Sequence, residues 1–182
     1  MGGRRQQSAG ALAPIAFGPY TTGPLRDRGT LSASRGDDDF GAGFSWRPFG
    51  FTLTTPDGEI AAACHAFRLG AHLRGVEVEP PDSSLPALLC GFEDAAGEEV
   101  GTLRLELRRG RDYVGTLTAA GLDRPLAVRS IHQVEGSRLP WEAPAGYEIA
   151  RVGGAIAAVE TIGRGAVRFA PEVGPELADR LA

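Results

Sequence analysis

The sequence predicts a mainly β protein: an antiparallel β-barrel or strongly curved β-sandwich of repeated hairpins, with one short C-terminal helix. Three observations predict it. From Phe49 onward, apolar and polar residues alternate over several short runs, the period of a half-buried strand. Glycine-containing turn signals separate these runs at short intervals. Glycine and proline are also abundant, with 26 and 13 of 182 residues, as many tight connections require.

Residues 1 to about 43 carry no repeating hydrophobic period. They contain Gly18-Pro19, Gly23-Pro24 and the run Asp37-Asp38-Asp39. Such a segment buries too little apolar surface to offset its ordering entropy. It reads as a flexible or partner-ordered arm, with Ile15 to Tyr20 the part best suited to add a strand. Residues 44–182 then form one β domain.

Phe49, Phe51 and Leu53 alternate with small or polar neighbours, and Pro56-Asp57-Gly58 supplies a turn. Ile60 to Leu69 returns as a strand apolar on both faces, hence central. A second hairpin joins Leu88–Glu93 through Ala95-Ala96-Gly97 to Val100–Leu107, where Leu103, Leu105 and Leu107 share one face. Tyr113 to Thr118 alternates again, and Leu126 to Val134 follows a turn at Gly121. Glu135 to Gly146 is a loop broken by Pro140 and Pro144. Tyr147–Ala150 and Ala155–Thr161 flank Gly153-Gly154, and Ala166–Phe169 is a last short strand. The turn count gives roughly eight to ten strands. Pro175 to Ala182 is the one helical stretch, with proline and acid in its first turn.

An internal similarity runs through these hairpins. Phe51-x-Leu53, four residues, then Gly58-x-Ile60-Ala61-Ala62 matches Tyr147-x-Ile149, four residues, then Gly154-x-Ile156-Ala157-Ala158. Phe92 to Val100 is a looser third version. The pattern is what any hairpin converges on, or the trace of a duplication. With Phe169-Ala170-Pro171 leading into the terminal helix, it resembles the tubby C-terminal and LURP-one-like β-barrel superfamily over about Phe49 to Ala182. The resemblance implies a β-barrel. No functional residue is carried over from it.

Composition excludes several chemistries. All 19 basic residues are arginine, so Schiff-base lysines and Walker-type phosphate loops are absent. The net charge of −4 weighs against a nucleic-acid partner, which needs a basic face. No window approaches the roughly 18 to 20 apolar residues of a membrane-spanning helix, and the expected location is the cytoplasm. Cys64 and Cys90 have no metal-ligand spacing and read first as small buried hydrophobes. A disulfide requires their strands to be neighbours.

The candidate functional residues are few. His65, His72 and His132 lack the spacing of a helical zinc pair. Ser130 and His132 share a strand face, where Glu106 or Asp112 could orient the imidazole; this supports only a weaker reading as a hydrolase. Arg104, Arg108, Arg109 and Arg111 form the densest basic group, either a carboxylate or phosphate grip or a face neutralised by Glu106 and Asp112. Trp141, held between Pro140 and Pro144 with Arg138 nearby, is the best surface anchor. Candidate partner contacts are therefore Trp141, Arg138, Arg104 and Arg108. No catalytic, cofactor or metal residue is assigned. The leading expectation is a non-enzymatic module that contacts a protein partner or itself. The alternative is a carrier holding a small apolar molecule or lipid in the barrel interior.

Overall fold

A computed structural model of the chain describes residues 16–17, 19–36, 40–74, 76–78, 86–108, 111–134, 136, 140–162 and 165–174. Among these residues all regular structure is strand. The first four segments are β1 (Ala16–Phe17), β2 (Tyr20–Thr22), β3 (Arg26–Asp27) and β4 (Leu31–Gly36). Two long strands follow, β5 (Phe40–Thr55) and β6 (Gly58–Leu73), then the short β7 (Val76–Val78). The remainder comprises β8 (Leu88–Asp94), β9 (Glu99–Arg108), β10 (Asp112–Ala119), β11 (Leu126–Ile131), β12 (Gly146–Arg151), β13 (Gly154–Glu160) and β14 (Ala166–Phe169).

These strands form one antiparallel sheet whose main path runs β1-β2-β5-β6-β8-β9-β10-β11-β12-β13-β14. Each hairpin expected from Phe49 onward is present. Among the described residues the two ends of the path do not pair, so the curved-sheet form of the expected fold is the one observed, not a closed barrel. The expected eight to ten strands become 14 segments. The added ones come largely from the stretch read as an arm. Successively, β2, β3 and β4 run along the same edge of β5, the pairing shifting by one residue from each to the next. Tyr20 is buried there, and Arg47 on β5 forks onto the Asp27 carboxylate on β3. The boundary placed at residue 43 falls inside β5. The run Asp37–Asp39 and the C-terminal stretch 175–182, read as a helix, lie outside the described residues.

Cross-strand pairing shows how the interior is assembled, because directly opposed residues share a face. One row reads Ala66–Leu88–Leu105–Gly115–Val128–Ile149–Ala157–Phe169 across eight strands. The next reads Cys64–Cys90–Leu103–Leu117–Leu126. Both lie on the concave face. Leu105, Leu126, Val128, Ile149, Ile156 and Ala157 form its buried centre, with Leu103, Tyr113 and Phe169 packed against it. The expected inward stripe of Leu103, Leu105 and Leu107 is therefore present, with Leu105 only 3% exposed.

Two bulges shape this face. The pairing of β8 with β9 breaks at Phe92/Glu93 and leaves Val100 as an extra residue; that of β12 with β13 breaks at Ile149/Ala150 and leaves Ile156. A bulge bends its strand and re-aims side chains. Ile156 and Ala157 are adjacent in sequence yet both buried. The first hairpin, β5/β6, has no such break. Its sequence likeness to β12/β13 therefore does not extend to register, and β8/β9 is the closer structural match.

Cys64 and Cys90 are directly opposed on β6 and β8 and joined by a disulfide, with Cα atoms 4.1 Å apart. They are 1% and 4% exposed, so the bond lies within the concave core.

Candidate functional site

The concave face is not filled uniformly. Toward one end it opens into a cavity of about 950 Å³. Its floor is apolar, built from Leu88, Leu103, Leu105, Val128 and Ile149. Tyr147 lines one wall, and burial, with Tyr113 nearby, holds its hydroxyl above the ordinary phenol range. It therefore contributes a neutral polar group.

A row close to the open end explains why space remains. It reads Phe51–Ala62–Phe92–Gly101–Ala119, and its last two positions, both lining the cavity, are glycine and alanine. Gly101 has no room for more: a Cβ there would sit 2.5 Å from the Thr118 carbonyl oxygen. The close approach of β9 to β10 thus requires a residue that leaves the interior empty of side chain. The mouth lies at the hairpin-turn end, edged by Asp57 and Gly58 of the β5/β6 turn, Asp94 to Ala96 of the β8/β9 turn, and Ala120 after β10. Gly97 completes the second turn at φ +81°, a conformation suited to glycine.

Of the candidate functional residues named from the sequence, none that is described lines this cavity. Trp141 is exposed to 48%, but its backbone is held at both groups. Its amide donates to the His132 carbonyl oxygen at 2.7 Å, and its carbonyl accepts from His132 Nδ1 at 2.9 Å. With Nδ1 protonated by that bond, His132 Nε2 accepts from the Ser130 hydroxyl at 3.0 Å. Asp112 stands 3.8 Å from Nε2. The Ser130–His132 geometry anticipated from sequence is therefore present. However, Ser130 Oγ also accepts the Tyr113 amide, so the group ties β10, β11 and the Trp141 loop together. Replacing His132 by alanine is expected to speed amide exchange at Trp141 and Ala145 roughly tenfold, at a cost of about 1 kcal/mol in stability. Exchange mapping by mass spectrometry would check it.

Arg104 and Arg108 lie on the convex face of β9 and converge on one carboxylate. Arg104 Nη2 is 3.2 Å from Glu106 Oε1, and Arg108 Nη2 is 2.6 Å from Oε2. Arg138 and Arg109 lie outside the described residues. His65 accepts from Trp46 Nε1 at 3.1 Å on the convex face, remote in the sheet from His132. Among the described residues no cluster of three metal-ligating side chains occurs, and no helix is long and apolar enough to cross a membrane.

The ion pairs give an acid response. Hydrogen bonding from Arg47 chiefly, with the Gly29 amide adding, holds the Asp27 carboxyl below its ordinary value; Arg108, then Arg104, does the same to Glu106. The folded chain thus binds fewer protons than the unfolded one. The associated stability is complete above the unfolded carboxyl values, near pH 4, and is lost as pH falls through the depressed folded values. Arg47→Ala is expected to flatten this acid limb, read as melting temperature between about pH 5 and 2. A limb of unchanged slope would show that the Asp27 pair contributes nothing in solution.

No protein-family model, curated protein or solved structure matches the chain.

Proposed function

We propose that this protein binds a small apolar molecule or a single acyl chain inside its curved sheet. The observation that carries the reading is the cavity of about 950 Å³ above an apolar floor. That volume is at the upper end of ordinary small-molecule sites, about 300 to 1,000 Å³. The architecture supports it, since space is left by small residues on rigid paired strands rather than by a loop that could collapse. Burying each methylene of a ligand is worth about 0.8 kcal/mol, so a chain of moderate length offsets its own ordering cost.

A neutral naphthylamine dye is expected to bind the full chain saturably at one site, with Kd on the order of micromolar. Ala119→Trp, which fills the space beside Gly101, should weaken binding at least about tenfold while the melting transition stays cooperative. Non-saturating binding, or binding indifferent to that substitution, would reject the reading.

The Trp141 loop supports a second reading as a protein contact, because an exposed indole on a doubly fastened backbone loses little entropy on binding. As for location, the bonded Cys64–Cys90 pair favours an oxidising compartment over the cytoplasm expected from sequence.

A further inference from the structure

The charges that edge the cavity are of one sign. Among the described residues, Asp57, Glu59 and Asp94 line it, and no arginine does. The three belong to neighbouring hairpins, because Ile60 on β6 pairs directly with Asp94 on β8. Asp94 accepts the Ala96 amide at 2.8 Å and the Glu98 amide at 3.0 Å, both on Oδ1, which fixes its carboxylate at the turn. The ion pairs among the described residues lie elsewhere, on β3/β5, β9, β10, β11/β12 and β13/β14. Arg124, on the β10/β11 turn that begins at Ala120, and Arg151, at the end of β12, do not line the cavity. An apolar floor below an acidic rim with no paired arginine among the described residues is complementary to one kind of molecule.

We propose that the cavity selects single-chain amphiphiles with a cationic head, a protonated amine or quaternary ammonium, and discriminates against carboxylates of the same chain length. The inference rests on the cavity being a binding site. The chain lies on the Leu103, Leu105 and Val128 floor, and the head stays at the rim in reach of water, where it needs no desolvation. A carboxylate head placed there meets like charge. These interactions act near solvent, so their size is modest and salt-sensitive.

The test compares dodecylammonium, dodecanol and dodecanoate, each below its aggregation threshold, as competitors of the neutral dye on the full chain. At low salt, the amine is expected to bind about three- to tenfold tighter than the alcohol, and the carboxylate weaker than the alcohol by a similar factor. The three should converge near 0.5 M salt, where screening acts over a few ångströms. Combining Asp57→Asn, Glu59→Gln and Asp94→Asn should bring the amine-to-alcohol ratio close to one. The Asp94→Asn change keeps an Oδ1 acceptor for the turn, and a cooperative melt verifies folding. Equal binding of all three ligands, tighter binding of the carboxylate, or a preference that survives the triple substitution would overturn the charge selection while leaving the cavity reading intact. Failure of the dye and of all three competitors to bind would instead remove the cavity reading itself.

Discussion

Replacing Cys64 and Cys90 together by alanine is expected to lower the unfolding free energy by about 3.5 kcal/mol, by closure entropy across a sequence separation of 26 residues. The bond adds more than a closed loop. It joins a directly opposed pair on β6 and β8, between the long β5/β6 hairpin and the rest of the sheet. A one-residue slip at this junction would turn Ala62, Cys64 and Ala66 from the concave face to the convex one. Denaturant titration of the wild-type and double variant would give the difference. With the sulfurs in the core, thiol reagents should label neither cysteine in the folded oxidised protein, and a reductant should act chiefly after unfolding. A loss below about 1 kcal/mol, or rapid labelling of both thiols without reductant, would show that the pair is not bonded in solution.

Gly115→Ala is expected to destabilise the protein by about 3 kcal/mol, the upper end of the usual cost of overpacking. Gly115 lies in the concave row between Leu105 and Val128, and a Cβ built there would run into the Arg104 carbonyl oxygen. The obstacle is backbone on the neighbouring strand, so relief requires β9 and β10 to part. For a chain of this size that corresponds to a fall of about 6 to 12 °C in melting temperature. Gly91→Ala is the control. It is also a glycine within a strand, but a Cβ there meets nothing within 4 Å, and its backbone is not left-handed. That variant should stay within about 0.5 kcal/mol of wild type. Equal effects of the two substitutions would refute the close-approach argument.

What the sequence revealed follows from where the information lies. Hairpins such as β5/β6 and β8/β9 were legible because alternation and turn chemistry are local, and both Asp57-Gly58 and Gly97 sit where the chain reverses. Strands β2 to β4 were not legible. Every residue of β4 is exposed, so it has no buried face to impose alternation, and it is held by backbone pairing with β5. The bulges at Val100 and Ile156 were equally hidden, since an extra residue appears only when two strands are aligned. The disulfide was readable only as a condition on strand adjacency, which the β6/β8 pairing meets.

The interior was named from the sequence as an alternative pocket, but the residues of the candidate site were not, for a related reason. Sequence reasoning favours residues with chemistry, such as Trp141, Arg104 and His132. The cavity instead depends on how little side chain Gly101 and Ala119 carry, residues far apart in sequence and adjacent only in register. One acid at the rim carried a faint signal, because Asp57 belongs to the Pro56-Asp57-Gly58 turn visible in the sequence. Nothing local indicated that the turns of neighbouring hairpins would meet around one opening.

The surplus residues Val100 and Ile156 both occur soon after a reversal of the chain, on return strands that begin at Glu99 and Gly154. An extra residue on one side of a ribbon bends that strand and increases its local twist, so both return strands turn away from their partners close to the tip. Under the proposed function, an elongated guest would enter tail first between these bent tips, and its head would be the last part to arrive and the first to leave.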